Sequence, residues 1–299
     1  MRLTVIGTVA FDGVETPHGK RDKVLGGSAS FASLSASFFT PVNLISVVGT
    51  DFPRKNFTMF EKRNIDTTGL KRKKGKTFFW KARYASDLSY AKTLKTCLNV
   101  FEGFKPDIPP NVDPNDNVFL ANIDPELQDW IFEKIKPWGL VAADTMNLWI
   151  KTQRKPLLKL MKKVDLFLLN DEEAFMLSGE RNLVNAAKYV LSRGPKMVVI
   201  KKGEHGSFFL SKRSCFIVPA YLLEEVVDPT GAGDTFAGGM IGYLSRRRRI
   251  TDNDLRKAIV YASILASFTV EKFSVDGLLA TSKKKITDRY RRFKRLTKF

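Results

Sequence analysis

The stretch Val227-Asp228-Pro229-Thr230-Gly231-Ala232-Gly233-Asp234-Thr235-Phe236-Ala237-Gly238-Gly239 decides the reading of this chain. Small residues at 231–233 let the backbone approach a ligand closely. The segment from Thr235 to Leu244 is apolar with helical period, so the turn opens a helix. Unpaired N–H groups and the positive dipole end at such a start form an anion hole. Asp234 falls in the first turn, where a carboxylate suits the helix but repels a bound phosphate. That cost makes sense if the carboxylate takes a proton from an alcohol attacking the phosphate. A bare Gly-x-Gly-Asp reads more often as a tight turn with a capping acid; the length of the string sets this one apart.

Around this turn, short apolar runs alternate with helical patterns. Strands are expected at Leu3–Ile6, Val42–Val48, Val118–Ala121, Leu140–Ala143, Leu166–Leu169 and Met197–Ile200. Helices are expected at Ala29–Phe39, Pro125–Lys136, Lys151–Lys162, Asp171–Leu177 and Leu183–Arg193. Continuous apolar strands between such helices mark strands covered on both faces, in a doubly wound, mostly parallel α/β sheet. Two stretches break the alternation. Residues 11–25 are polar and turn-rich, and 76–101 show period-two strand character, so both are expected to form a small β lid over the carboxyl edge of the sheet. The expected organisation is one domain over 1–299 with this lid and a basic tail at 281–299.

The chain has 299 residues and a formal net charge of +19. Its 43% hydrophobic content, 20 Gly and 13 Pro are ordinary for a folded protein, which excludes disordered and fibrous classes. Two cysteines, Cys97 and Cys215, make no disulfide framework and no metal spacing, so a reducing, cytoplasmic setting is expected. The uncharged run Ala258 to Val270 is shorter than the roughly 18 apolar residues of a membrane span and reads as a buried helix. The positive charge is clustered: residues 54–83 carry +9, Arg246 to Arg249 carry +4, and 281–299 carry +8. The rest is close to neutral. These patches suit either a nucleic-acid or anionic surface partner or a plain solvated face; no RNA-binding signature or Cys/His finger accompanies them.

The string Asp-Pro-Thr-Gly-Ala-Gly-Asp-Thr-Phe-x-Gly-Gly resembles the signature of the ribokinase-like kinases, the PfkB carbohydrate kinase family. The likeness extends over nearly the whole chain in order. Gly26-Gly27-Ser28-Ala29-Ser30 resembles the family's first glycine motif, and Val48-Gly49-Thr50-Asp51 its Val-Gly-Asp-Asp segment. Asn170-Asp171-Glu172-Glu173 matches its Asn-x-x-Glu, and Lys202-Gly203-Glu204-His205-Gly206 its nucleotide-binding turn. Asp144-Thr145-Met146-Asn147 is a weaker match to an Asp-x-Asn near the phosphate path. The resemblance implies an ATP-dependent phosphotransferase acting on an alcohol group of a sugar or nucleoside. Asp234 would be the general base. The turn Gly231-Ala232-Gly233 would stabilise charge on the γ-phosphoryl group through the amides of Ala232, Gly233 and Asp234. Asn170 and Glu173 would help place Mg²⁺ through water, a role suited to oxygen ligands. Asn170, Lys202, Gly203, Gly206 and Asp228 would line the nucleotide, and Asp228 with the loops near Ser274 falls where relatives that need a monovalent cation bind it.

On the acceptor side the resemblance points to Asp12, Gly26, Gly27 and Phe31. Asp12 could accept hydrogen bonds from hydroxyls, or serve only as a turn residue. The chain departs from the ribokinase pattern at Phe31, where an Asn is usual, and at Ala10, another usually polar position. Both remove hydrogen-bond capacity, which makes a nucleoside, a less polar polyol or a modified sugar more plausible than ribose or fructose. The aromatic residues Phe78, Phe79, Trp80 and Tyr84 read as packing or as a lid over a sugar or base. Some relatives pair through their lids, and the lid strands here would permit a homodimer.

Several features are decoys. Gly69 to Thr77 looks like a P-loop, but five residues separate Gly69 from Gly75 where four are needed. Gly231 and Gly233 lack the third glycine of a dinucleotide fingerprint. His18 and His205 read as surface residues, and a zinc site or Ser-His-Asp hydrolase is not supported. Arg154, Lys155, Lys162 and Lys163 read as a solvated helix face. The competing reading is a non-catalytic ribokinase-fold binding or regulatory protein that contacts nucleic acid or other anionic partners through the basic patches.

Overall fold

The computed structural model describes residues 1–88 and 91–298. Strand β1 (Leu3–Ile6) is fully buried, and the chain leaves it into an antiparallel hairpin of β2 (Ala10–Thr16) and β3 (Gly19–Gly26). Helix α1 (Ser28–Ala36) leads back to β4 (Val42–Gly49), which pairs parallel with β1 and is also buried throughout. After α2 (Arg54–Lys62), the short strands β5 (Ile65–Asp66) and β6 (Leu70–Lys73) both pair with β4. Then β7 (Phe79–Tyr84) and β8 (Ala91–Cys97) join the first hairpin.

The chain next alternates strand and helix. In order come β9 (Asn117–Leu120), α3 (Pro125–Ile135), β10 (Val141–Asp144), α4 (Asn147–Thr152), α5 (Arg154–Met161), β11 (Leu166–Asn170), α6 (Asp171–Ser178) and α7 (Leu183–Ser192). Then β12 (Met197–Lys201) is followed by the antiparallel edge strands β13 (Ser207–Ser211) and β14 (Cys215–Val218). Helices α8 (Ala232–Leu244), α9 (Asp252–Val270), α10 (Asp276–Leu279) and α11 (Lys283–Leu296) complete it.

Among the described residues the large sheet has the order β14-β13-β12-β11-β10-β9-β1-β4-β5, parallel from β12 to β5. Strand order reverses around β1, which lies between β4 and β9, and open α/β sheets bind ligands at the carboxyl ends beside such a reversal. One face packs on α1, α8 and α9, the other on α3, α5, α6 and α7. Burying a residue such as Phe31, Phe119, Phe167 or Phe209 contributes about 1.5–3 kcal/mol, so both faces are strongly held.

On the first face α1 and α8 meet backbone to backbone. A Cβ on Gly238 would overlap the Ala32 carbonyl oxygen, and one on Gly242 would fall 2.7 Å from the Ala36 Cα. The second sheet has the order β3-β2-β7-β8. Its strands come from the two segments set apart as a lid, now bounded at Ala10–Gly26 and Phe79–Cys97.

Some expectations are corrected. The helix expected over Lys151–Lys162 is two helices, α4 and α5, parted at Gln153 (φ −129°, ψ 33°). Pro156 explains the break, since inside one continuous helix it would remove a hydrogen bond and clash, whereas it fits the first turn of α5. Arg154 does not simply face water: it donates to the Leu177 carbonyl at 2.6 Å and to the Tyr189 hydroxyl at 3.2 Å. Lys163 pairs with Asp129 and Glu133. The strand expected at Leu140–Ala143 is shifted by one residue to Val141–Asp144, and β13 and β14 carry no strand expectation. The basic tail is a helix, anchored through buried Ile286 and Phe293 and through Arg289, which donates to Glu271 at 2.7 Å. No described helix is long and apolar enough to cross a membrane.

Candidate active site

Three neighbouring parallel strands end in polar residues at one edge. β10 ends in Asp144, β11 in Asn170 and β12 in Lys201. The N-terminus of α8 arrives at the same edge. Gly231 precedes it in the left-handed conformation (φ 75°), which costs a glycine little, and a Cβ there would overlap the Phe31 ring. Thr235 N donates to Gly231 O at 2.8 Å, closing the first turn. Ala232 N turns back to Pro229 O at 3.2 Å, so the expected anion hole narrows to the amides of Gly233 and Asp234. Asp228 is fully buried and accepts from Thr230 N at 2.9 Å and Ser274 N at 3.2 Å. It braces the turn from inside rather than standing open to a nucleotide. From the second sheet, the Tyr84 hydroxyl accepts a hydrogen bond from the Thr230 hydroxyl at 3.1 Å.

Acidic groups crowd this edge. Burial pushes the Asp234 carboxyl up to about 7; Asp144 adds to the rise and Lys201 opposes it. Glu173 is likewise raised by burial to about 7, with Lys201 opposing and Asp144 adding. Burial works against the Lys201 charge, yet Asp144 and Glu173 outweigh it and hold the ammonium above the ordinary lysine range. Lys201 Nζ lies 2.8 Å from Asp144 Oδ2. Thus three carboxylates share one ammonium, the kind of shifted set that catalytic sites need.

Asp12 lies on β2, just past the carboxyl end of β1. It is buried, and burial raises its carboxyl to about 8, with the Gly27 backbone N–H opposing and Asp228 and Asp234 adding. Gly26 is required beside it, because a Cβ there would overlap the Asp12 carboxylate. Gly27 starts α1 with a φ of 91°. Phe31 is 1% exposed, so it supports the Gly231 turn by packing beneath it. Burial also raises the Tyr84 phenol, with Asp228, Asp12 and Asp234 adding.

Asn170 and Glu173 form a reciprocal cap on α6. Asn170 Oδ1 accepts from Glu173 N, and Glu173 Oε2 from Asn170 N, both at 2.7 Å. Lys202 N donates to Gly206 O at 2.7 Å, shaping the β12–β13 turn that contains Gly203. Lys201 is the residue missed from the sequence. The family resemblance points to its neighbour Lys202, and the apolar run predicts a strand only to Ile200; β12 continues one residue further, and Lys201 shares strand parity with Val199, which packs on the α8 side.

Among the described residues no three acidic, His or Cys side chains converge closely enough to cage an ion. Asp144, Glu173 and Asp234 nonetheless bring carboxylate oxygen to one edge, and Asn170 adds an amide oxygen beside them. The donor set therefore fits Mg²⁺ completed by water and phosphate oxygens. The buried Thr145 hydroxyl and Asn147 Oδ1, at the same edge beyond Asp144, lack protein partners.

Residues 4–281 match the model of the pfkB family carbohydrate kinases. The chain is 31% identical over 257 residues to a cytidine kinase of Thermococcus kodakarensis, covering 84% of this chain and 91% of that protein. In structure it is similar to the nucleoside kinase of Methanocaldococcus jannaschii, with a TM-score of 0.77 at 19% identity, covering 97% and 98% of the two chains. It is also similar to an Escherichia coli putative ribokinase II solved with ATP and Mg²⁺, with a TM-score of 0.72 at 18% identity, covering 97% and 99%.

Proposed function

Given that this chain belongs to the pfkB family of carbohydrate kinases, we propose that it moves the γ-phosphoryl group of ATP to an alcohol hydroxyl of a nucleoside or sugar. The observation that carries the reading is Asp234, a carboxyl raised to about 7 in the first turn of α8, beside the amides of Gly233 and itself. A base with that pKa is partly ionised near neutrality, where proton acceptance is most effective. The acceptor hydroxyl gives its proton to Asp234 as its oxygen bonds to the γ-phosphorus and the bond to ADP breaks. The two amides hold the equatorial oxygens of the group in flight. Mg²⁺, when bound near Asn170 and Glu173, would neutralise phosphate charge. Lys202, Gly203 and Gly206 shape the nucleotide edge through the β12–β13 turn.

On the acceptor side, Asp12 accepts from hydroxyls in its ionised form or donates one hydrogen bond when protonated. The second sheet, tied to Thr230 through Tyr84, closes over the pocket and excludes water. Nucleosides are the first acceptors to assay, because a relative that matches most of this chain is a cytidine kinase; Ala10 and Phe31 are fully buried and do not line the acceptor side. Transfer from labelled ATP with Mg²⁺ to a panel of nucleosides, sugars and polyols tests the reading. Asp234→Asn should lose about 10²- to 10⁴-fold in transfer while still binding nucleotide. Unchanged turnover in that variant would remove Asp234 from its role.

A further inference from the structure

The Lys201–Asp144 pair is more than the fold requires. Asp144 is buried at 3% exposure and Lys201 largely so at 16%, and a buried ion pair rarely stabilises better than apolar residues of the same volume. Asp144 is fixed on both oxygens: Oδ1 accepts from Thr145 N at 2.9 Å and Oδ2 from Lys201 at 2.8 Å. This arrangement aims the ammonium. A Cβ on Gly233 would stand only 3.2 Å from Lys201 Nζ, so the charge lies directly against the amide turn at the start of α8. Lys201 carries three N–H donors, and Asp144 satisfies one of them. At this edge two amides alone would otherwise meet a highly charged phosphoryl group.

We propose that Lys201 is a catalytic residue that binds the γ-phosphoryl group during transfer, and that Asp144 is the positioning residue that aims it. The inference rests on the kinase reading and adds a cation to its anion hole. Lys201 stays protonated throughout. It donates hydrogen bonds to the γ-oxygens while the acceptor oxygen bonds to phosphorus, the bridge to ADP breaks, and Asp234 takes the proton. A point charge in this place meets the γ-phosphoryl group of bound ATP, which ADP lacks, and it speeds the chemical step by the part of that contact that strengthens during transfer.

The test compares wild type with K201M and with K201M/D144N, which also removes the carboxylate that Lys201 pairs with directly. Calorimetric affinities for ADP and for the non-hydrolysable analogue AMP-PNP give a readout apart from turnover. Thermal melting establishes that each variant is folded. In both variants AMP-PNP binding should weaken about tenfold or more while ADP binding is unchanged, because only the analogue has a γ-phosphoryl group. Turnover should fall about 10²- to 10³-fold, the scale for losing one charged or dipolar stabiliser. An AMP-PNP to ADP affinity ratio equal to wild type in the folded double variant would overturn the proposal, as would turnover within about threefold of wild type. If wild type transfers phosphate to no acceptor, the kinase reading fails; a lost AMP-PNP preference in the same variants would still support contact between Lys201 and the γ-phosphoryl group.

Discussion

Replacing Asp234 by Asn should make the protein more stable as well as inactive. The carboxyl titrates at 3.8 in an open chain and at about 7 in the fold, because folding strips its water and sets it beside Asp144. A carboxyl raised in this way supports the fold only while protonated. Its contribution is complete below pH 3.8 and is lost as pH rises through about 7. At about 1.36 kcal/mol per unit, the gap bounds the cost of the ionised form near pH 8 at about 4 kcal/mol. Asp234 retains partial exposure, so water relieves some of this, and about 1–3 kcal/mol is expected. For a domain of this size that corresponds to a melting temperature about 2–8 °C higher at pH 8, shrinking to little below pH 4. Asn keeps the shape and cannot ionise. Paired thermal melts of wild type and Asp234→Asn without ligand, across that pH range, measure the effect. A stability difference that does not change with pH would refute the reasoning, since it would mean that Asp234 carries no buried charge.

Other variants probe the rest of the site. Gly26→Ala should drive a methyl into the Asp12 carboxylate, raising the acceptor KM with nucleotide affinity intact; an unchanged KM would detach Asp12 from the acceptor. Tyr84→Phe removes the hydrogen bond to Thr230, worth about 0.5–1.5 kcal/mol. Amide exchange in residues 79–84 should quicken, and equal exchange would show that the bond does not hold the second sheet. Glu173→Ala should remove half of the α6 cap, costing about 1 kcal/mol near pH 5, where Glu173 is protonated in the fold. It should also raise the Mg²⁺ concentration needed for half-maximal transfer, and an unshifted Mg²⁺ titration would place the ion elsewhere.

The late helix and its glycine turn are legible in the sequence because each depends on neighbours a few residues apart, whereas Asn170 and Glu173 stand out only through the family resemblance and their reciprocal cap only in the structure. Alternating apolar runs likewise exposed the parallel strands. Lys201 was hidden because a lysine ending an apolar strand looks like the first loop residue. Only the parity of β12 and the presence of Asp144 two strands away give it a buried partner, and that pairing spans 57 residues of sequence. Asp12 was visible as a polar residue after β1, but its burial comes from β3 folding back so that Gly26 meets it. The Gln153 break was written in Pro156, which helical period alone does not register. The tail helix was readable only as charge because its two apolar anchors, Ile286 and Phe293, lie seven residues apart among basic residues.

The glycine seam between α1 and α8 has a mechanical consequence. α1 begins at the residues proposed to flank the acceptor, and α8 at those proposed to grip the phosphate. With no side chains between Gly238 and Ala32 to act as bearings, these two helices can hardly slide or pivot on one another. The distance from nucleophile to phosphorus is then a fixed gauge of the scaffold, and any bulkier residue at that seam should misalign both substrates at once without touching either.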